Sequence, residues 1–322
     1  MTQKRPLVSV GMPVYNGEHF LENALNSILA QTFKDFELII SDNGSTDKTE
    51  AICRRYANAD RRIRYIRNEE NLGAGWNFDR VAELATGKYF KWACHDDLCA
   101  PEFLQKCVEV LETDPTMVLA YAKTSIIDES GAEIKKYEDG FHLTSDQPVE
   151  RFKAYHHLVR YGNLCHPFHG TIRREVLTKL LPLGSYPSSD LILLGKLVLY
   201  GKFYEIPDYL FCKRDHPAIS VRAHRAFHER IAWYDPTKKG KLHLTRWKWF
   251  EEYISAIRTA PLTWQEKTKC YRQMLQWLVW NSVWLTKDLL KAIAWPFVKL
   301  FLSRQLQFKL PKSPVSVKAN NQ

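Results

Sequence analysis

No apolar stretch in the chain reaches the roughly 18 uninterrupted residues that a membrane-crossing helix needs. Its first residues, MTQKRPLVSV, pass straight into a strand-like pattern without a signal-peptide apolar region. The expectation is therefore a cytoplasmic protein. No C-x-x-C pair occurs, and the seven cysteines (Cys53, Cys94, Cys99, Cys107, Cys165, Cys212, Cys270) are odd in number and scattered. That spacing excludes a disulfide framework and a structural zinc site, and leaves reduced packing residues. Neither G-x-G-x-x-G nor G-x-x-x-x-G-K-[ST] follows the first strand pattern, so a dinucleotide turn and a P-loop are both unsupported. Acidic residues are scarce in the last third: residues 207–322 hold 21 basic and 8 acidic side chains, against 25 and 28 in residues 1–206. The whole net charge of +10 lies in that last third, which suits an appendage facing an anionic partner.

What is present is a 322-residue chain whose 45% hydrophobic content can bury a substantial core. Strand patterns at 7–12, 36–41, 63–67, 88–93 and 117–121 alternate with helix patterns at 18–31, 46–58, 76–86 and 101–113. The second helix is expected to open on an Asp47-x-x-Glu50 capping pattern, the fourth on Pro101. Such alternation predicts an α/β fold with a doubly wound, mostly parallel sheet, whose post-strand loops open on one carboxyl edge. Those loops are PVYNG (13–17), DNGSTD (42–47), RNEENLGAG (67–75) and HDD (95–97), the most polar segments of the first hundred residues. A nucleotide-sized ligand belongs at that edge.

The segment FKWACHDDLCAPEFL (90–104) ends an apolar run in two adjacent carboxylates. They repel each other and lose hydration, so they call for a cation or a hydroxyl partner. A diphosphate without a glycine cradle needs a counter-charge, and a divalent metal on Asp96 and Asp97 would supply it.

Three longer segments, VSVGMPVYNGEHFLENALNSILAQTFKDFELIISDNGSTDKT (8–49), NLGAGWNFDRVAELATGKYFKWACHDD (71–97) and SSDLILLGKLVLYGKFYEIPDYLFCKRDHPAIS (188–220), resemble family 2 of the inverting GT-A-fold glycosyltransferases in order and spacing. The resemblance spans roughly residues 7–220. It implies that Pro13, Tyr15 and Asn16 line the base and ribose pocket, that Asp42 hydrogen-bonds the pyrimidine, and that Asn71 and Gly73 shape the adjoining loop. It further implies Asp96 toward ribose and metal, Asp97 as the main metal ligand because His95 stands at the first acidic position of the D-x-D signature, His216 as a second ligand, and Asp190 as catalytic base. The implied cofactor is Mn2+ or Mg2+. Such chemistry uses a metal against the leaving diphosphate and one carboxylate to take the acceptor proton. His169 and Gly170 either border the acceptor or belong to a packed loop, and Arg173 and Arg222 are equal candidates to meet the diphosphate.

The last hundred residues fall outside the resemblance. RWKWFEEYISAIR (246–258) and 274–309 read as helices, the latter broken near Pro296. Trp277, Trp280 and Trp284 share a face that either packs on the catalytic unit or a second subunit, or lies on an anionic membrane with Lys287, Lys291, Lys299 and Arg304 at the phosphates. The division expected is a GT-A unit at 1–220, a basic Trp-rich helical extension at 221–308 and a disordered tail at 309–322.

The expected activity is metal-dependent, inverting transfer of one sugar from a nucleoside-diphosphate sugar, of the UDP type, to a hydroxyl of a glycan or lipid-linked acceptor, as in polysaccharide biosynthesis. Expected partners are that donor and acceptor, with an anionic membrane or a second copy at the C-terminal helices and no nucleic acid. A processive synthase would need membrane spans and a Q-x-x-R-W motif, and neither occurs. The alternatives are a nucleotide-sugar-binding protein without catalysis and, less favoured because GMPVYNG has no basic residue, a sugar-phosphate nucleotidyltransferase.

Overall fold

The computed structural model describes residues 5–162, 164–224 and 226–308, so the expected tail at 309–322 lies outside the described residues. Strands β1 (Val8–Val14), β2 (Phe36–Asp42), β3 (Ile63–Arg67) and β4 (Tyr89–Trp92) form the parallel half of one sheet, in the order β3-β2-β1-β4. All seven residues of β1 and all four of β4 are buried, as expected of parallel strands covered on both faces. One apolar cluster packs around Phe90, Trp92 and Ile39, and the other, on the opposite face, around Val10, Met12 and Leu38.

Five further strands extend the sheet: β5 (Leu98–Cys99), β6 (Met117–Ile127), β7 (Glu133–Tyr137), β8 (Thr171–Arg173) and β9 (Lys202–Arg214). The expected fifth parallel strand is β6, longer than its pattern, but it does not sit beside β4. Three-residue β8 lies between them, antiparallel to both. Strand β9 returns parallel to β6 and pairs at its end with β5, directly after the HDD turn. That pairing carries Lys213, Arg214 and His216 to Asp96 and Asp97.

The helices depart from the sequence expectations mainly in how they begin and end; the fourth, for one, starts at Phe103, two residues after Pro101. Asp47 does not close a capping box: its carboxylate accepts the Thr49 and Glu18 backbone N–H groups, and Glu50 turns outward to Arg54 and Arg67. Nor does Pro296 break the last helix, which runs Trp264–Phe308 with that proline inside. A proline removes one i→i−4 bond, and the surrounding bonds carry the helix past it. The helix begins ten residues earlier than its Trp pattern because Thr263 and Glu266 form a reciprocal cap: Thr263 N–H donates to Glu266 Oε2 at 2.7 Å, and Glu266 N–H to Thr263 Oγ1 at 3.3 Å.

The last two helices, Thr245–Thr259 and Trp264–Phe308, pack against each other and onto the body. Trp277 is 5% exposed, with its ring stacked 6.0 Å from Phe250. Trp249 Nε1 donates to the Pro187 carbonyl, just ahead of the helix Ser189–Leu197. Among the described residues no helix is long and apolar enough to cross a membrane.

Candidate active site

The loops after β1, β2, β3 and β4 converge on a cleft of about 1430 Å³ at the carboxyl edge of the parallel strands. Pro13, Tyr15, Asn16, Asn43, Asn71 and Asp96 contribute walls from the first hundred residues, and His169, Asp190, Lys213 and His216 from the second half. Three non-glycine residues have positive φ among the described residues: Asn16 (50°), Cys165 (62°) and Ser188 (64°). Asn16 lines the cleft and the other two flank Asp190, so the non-glycine residues with left-handed backbone gather around it.

At one end Tyr15 is 41% exposed, an aromatic surface open to the cleft. Asn16 holds the β1 loop to the β2 loop: its N–H donates to Ser45 Oγ, and its Oδ1 accepts the Thr46 N–H, both at 2.9 Å. Asn43 stitches the β2 and β3 loops, donating to Asn71 Oδ1 at 2.8 Å and the Gly73 carbonyl while accepting from Asn68 and Leu72. Gly73 lies behind this wall at φ +93°, where an added Cβ would meet the Tyr234 carbonyl oxygen at 2.5 Å. Asp42 is not brought to the cleft. It is fully buried, with Oδ1 accepting the Ser45 N–H and Oδ2 the Tyr65 hydroxyl, so it organises the loop that its neighbour Asn43 presents.

The two carboxylates of the HDD turn face different ways. Asp96 lines the cleft, with Oδ2 3.1 Å from His216 Nε2. Asp97 is not part of the wall and is 5% exposed; Oδ1 accepts the Arg214 N–H and Oδ2 the Lys213 ammonium, each at 3.0 Å. This differs from the expectation that gave Asp97 the metal, and the cause is that β9 has already filled both of its oxygens. Burial pushes the Asp96 carboxyl upward, but the Lys213 ammonium and the His216 hydrogen bond more than reverse it and hold it below the usual carboxylate range. Burial pushes Asp97 up. Arg214 locks the turn, donating through Nε to the Asp96 carbonyl with its guanidinium 4.6 Å from the Phe20 ring centroid.

A carboxylate oxygen and an imidazole nitrogen at 3.1 Å on a cleft wall fit a divalent cation such as Mn2+ or Mg2+, with phosphate oxygens and water for the remaining positions. A second cluster, Cys94, Asp97 and His169, brings ligand atoms within 4.8 Å of one another. In that cluster the Lys213 ammonium sits 3.0 Å from Asp97 Oδ2, and Cys94 Sγ lies 4.0 Å from His169 Nδ1.

Asp190 sits in the first turn of the helix Ser189–Leu197 and lines the same cleft. Its Oδ1 accepts the Leu191 N–H at 2.9 Å, and the Cys165 thiol donates to the carboxylate. Burial raises its proton affinity above that of an ordinary aspartate, and these two donors only partly offset it.

Neither arginine expected near a diphosphate reaches the cleft. Arg173 is buried on β8 and donates to the Met117 and Leu111 carbonyls, while Arg222 pairs with Asp215. One cation that does line it, on the Asp96 side, is Lys213, which sequence reasoning passed over because only the β5–β9 pairing brings it there. His169 lines the wall, whereas Gly170 packs against the Ala120 carbonyl. Trp233, Tyr234 and Lys239, from the segment beyond the expected GT-A unit, also line the cleft.

A family model described as "Glycosyl transferase family 2" matches residues 9–181. Among curated proteins, an uncharacterized glycosyltransferase of Methanocaldococcus jannaschii is 37% identical over 136 residues, covering 42% of this chain and 47% of that protein. The putative teichuronic acid biosynthesis glycosyltransferase TuaG of Bacillus subtilis is 32% identical over 137 residues, 42% of this chain and 54% of that protein. The chain thus spans about half the length of these curated relatives. Among solved structures, S. aureus TarS 1-349 in complex with UDP-GlcNAc superposes with a TM-score of 0.61 at 17% identity, covering 83% of this chain and 71% of that one, a likeness of fold. Asp190, Lys213 and His216 lie beyond the stretch that the family model matches.

Proposed function

The chain belongs to glycosyl transferase family 2, and from that membership and the cleft we propose a metal-dependent, inverting enzyme that moves one sugar from a UDP-sugar to a hydroxyl of a glycan or lipid-linked acceptor. The observation that carries this reading is that one cleft holds both the Asp96–His216 pair and the half-buried Asp190 carboxylate. Polysaccharide biosynthesis, in the cytoplasm or at the inner membrane face, belongs to the same proposal, as does the division into a catalytic unit at 1–220 and an extension at 221–308.

In this reading Tyr15 stacks on the base while Pro13, Asn16 and Asn71 enclose base and ribose. Asp42 and Gly73 serve the site through the loops they hold. Asp96 and His216 would hold the divalent cation, which when bound neutralises charge on the leaving diphosphate. Lys213 adds a fixed positive charge at the same corner. Asp190 accepts the acceptor hydroxyl's proton as that oxygen bonds to the anomeric carbon opposite the breaking bond to the diphosphate. A single displacement of this kind inverts the anomeric configuration.

A panel of UDP-, dTDP- and GDP-sugars with manganese tests the proposal. The expected result is turnover of a UDP-sugar with release of UDP, and proton NMR of the first product showing the anomer opposite to the donor's. No turnover of any donor, or a retained anomer, contradicts it. Tyr15→Ala should weaken UDP binding by roughly tenfold, since a base stacked on an aromatic side chain is worth about 1–3 kcal/mol. Unchanged affinity in a calorimetric titration would remove Tyr15 from the base pocket.

A further inference from the structure

The helix Trp264–Phe308 has two unlike faces. Cys270, Met274, Trp277, Leu285 and Asp288, recurring at helical spacing, are buried against the body. On the opposite side Leu275, Val279, Val283, Leu290 and Ile293 are 63%, 72%, 62%, 58% and 68% exposed. This stripe covers five turns, about 27 Å of helix at 1.5 Å per residue. It is not the tryptophan face: Trp277 is buried and Trp280 lies under the Arg160 guanidinium, while Trp284, 52% exposed, carries the Lys287 ammonium over its ring.

Lys269 and Lys287 flank the open stripe on one side and Arg272 stands in line with its N-terminal end, all exposed. The acidic side chains between Trp264 and Pro296 are Glu266, engaged in the N-terminal cap, and Asp288, buried, with Oδ2 bound to the Arg246 N–H and Oδ1 to the Lys291 ammonium at 3.0 Å. We propose that this face lies flat on an anionic membrane surface, with Leu275, Val279, Val283, Leu290 and Ile293 at the acyl boundary and the three cations against lipid phosphates.

Charge decides between this occupant and a second copy of the chain. A self-complementary pairing of the stripe would bring two cationic flanks together with no free carboxylate on either helix to meet them. Anionic lipid supplies the missing charge, and the helix is too polar to insert across the bilayer, so it lies on the surface instead. The inference goes beyond the catalytic proposal and does not rest on the assignments of Asp96, His216 or Asp190.

Co-sedimentation of the full chain with phosphatidylcholine vesicles, with and without phosphatidylglycerol, tests it. The wild type should pellet with the anionic vesicles only, and release on raising salt. The surface variant Val279→Ser/Val283→Ser/Leu290→Ser should lose at least about tenfold in vesicle affinity, because three apolar anchors are removed. Its UDP binding and far-UV circular dichroism should stay unchanged, which separates this failure from misfolding and from failure of the catalytic reading. Absence of binding to anionic vesicles, or undiminished binding by the triple variant, overturns the proposal. So does a wild-type dimer in sedimentation equilibrium that the triple variant abolishes, which would give the face to a second copy.

Discussion

Asp190→Asn should lower the rate of sugar transfer by about 10²–10⁴-fold, the usual contribution of a general base, while leaving UDP-sugar affinity close to that of the wild type. The amide keeps the shape and can still accept the Leu191 N–H, but it cannot take a proton from the acceptor hydroxyl. The wild-type pH profile carries the same signature. Burial raises the Asp190 proton affinity above the ordinary aspartate value of 3.8, and a base works only when ionised. The rate constant kcat/KM should therefore fall as the pH drops through a midpoint above 3.8, and this acid limb should be missing from the residual activity of the variant. Full activity in Asp190→Asn would assign the base elsewhere and leave the carboxylate as a first-turn helix residue favoured by the dipole.

The second large effect separates two neighbouring carboxylates. Asp96→Asn should lose most metal-stimulated turnover with a smaller fall in Tm than Asp97→Ala, because it keeps the side chain's shape on the cleft wall and gives up the charge that Lys213 and His216 hold there. Asp97→Ala should do the reverse in kind: it strips the buried end of the Lys213 ion pair and the acceptor of the Arg214 N–H. Breaking one partner of a buried pair costs about 3–5 kcal/mol, so Tm should fall by roughly 10 °C. Thermal denaturation beside donor hydrolysis reads both outcomes. A stable Asp97→Ala protein that has lost only its metal response would restore the metal to Asp97.

Much of the architecture is legible in the sequence because the parallel half repeats one local pattern, apolar strand, polar loop, amphipathic helix. Strands β1 to β4 and their loops follow from it. Strands β8 and β9 do not, since three residues of antiparallel strand and a thirteen-residue strand paired at both its edges depend on long-range partners. The same limit applies to the site. Asp96 and Asp97 are adjacent in sequence and equal in chemistry, and only the arrival of Lys213 and Arg214 on β9 turns one inward and leaves the other at the cleft. Asp42 and Asn43 repeat the case at the end of β2, where the hydroxyl of Tyr65 claims the acid. Tryptophan spacing in the last helix reveals a shared face but not which side of the helix meets the body. Trp277 took the inside, and the aliphatic residues opposite it were left in the open.

Calorimetric titration of UDP into the wild-type protein, with Mn2+ and again with EDTA, tests the central claim most directly. A metal held by Asp96 and His216 and completed by the diphosphate should tighten UDP binding by at least about tenfold, and Asp96→Asn should erase that difference. Equal affinity with and without Mn2+, or a full metal effect surviving in Asp96→Asn, would contradict the account.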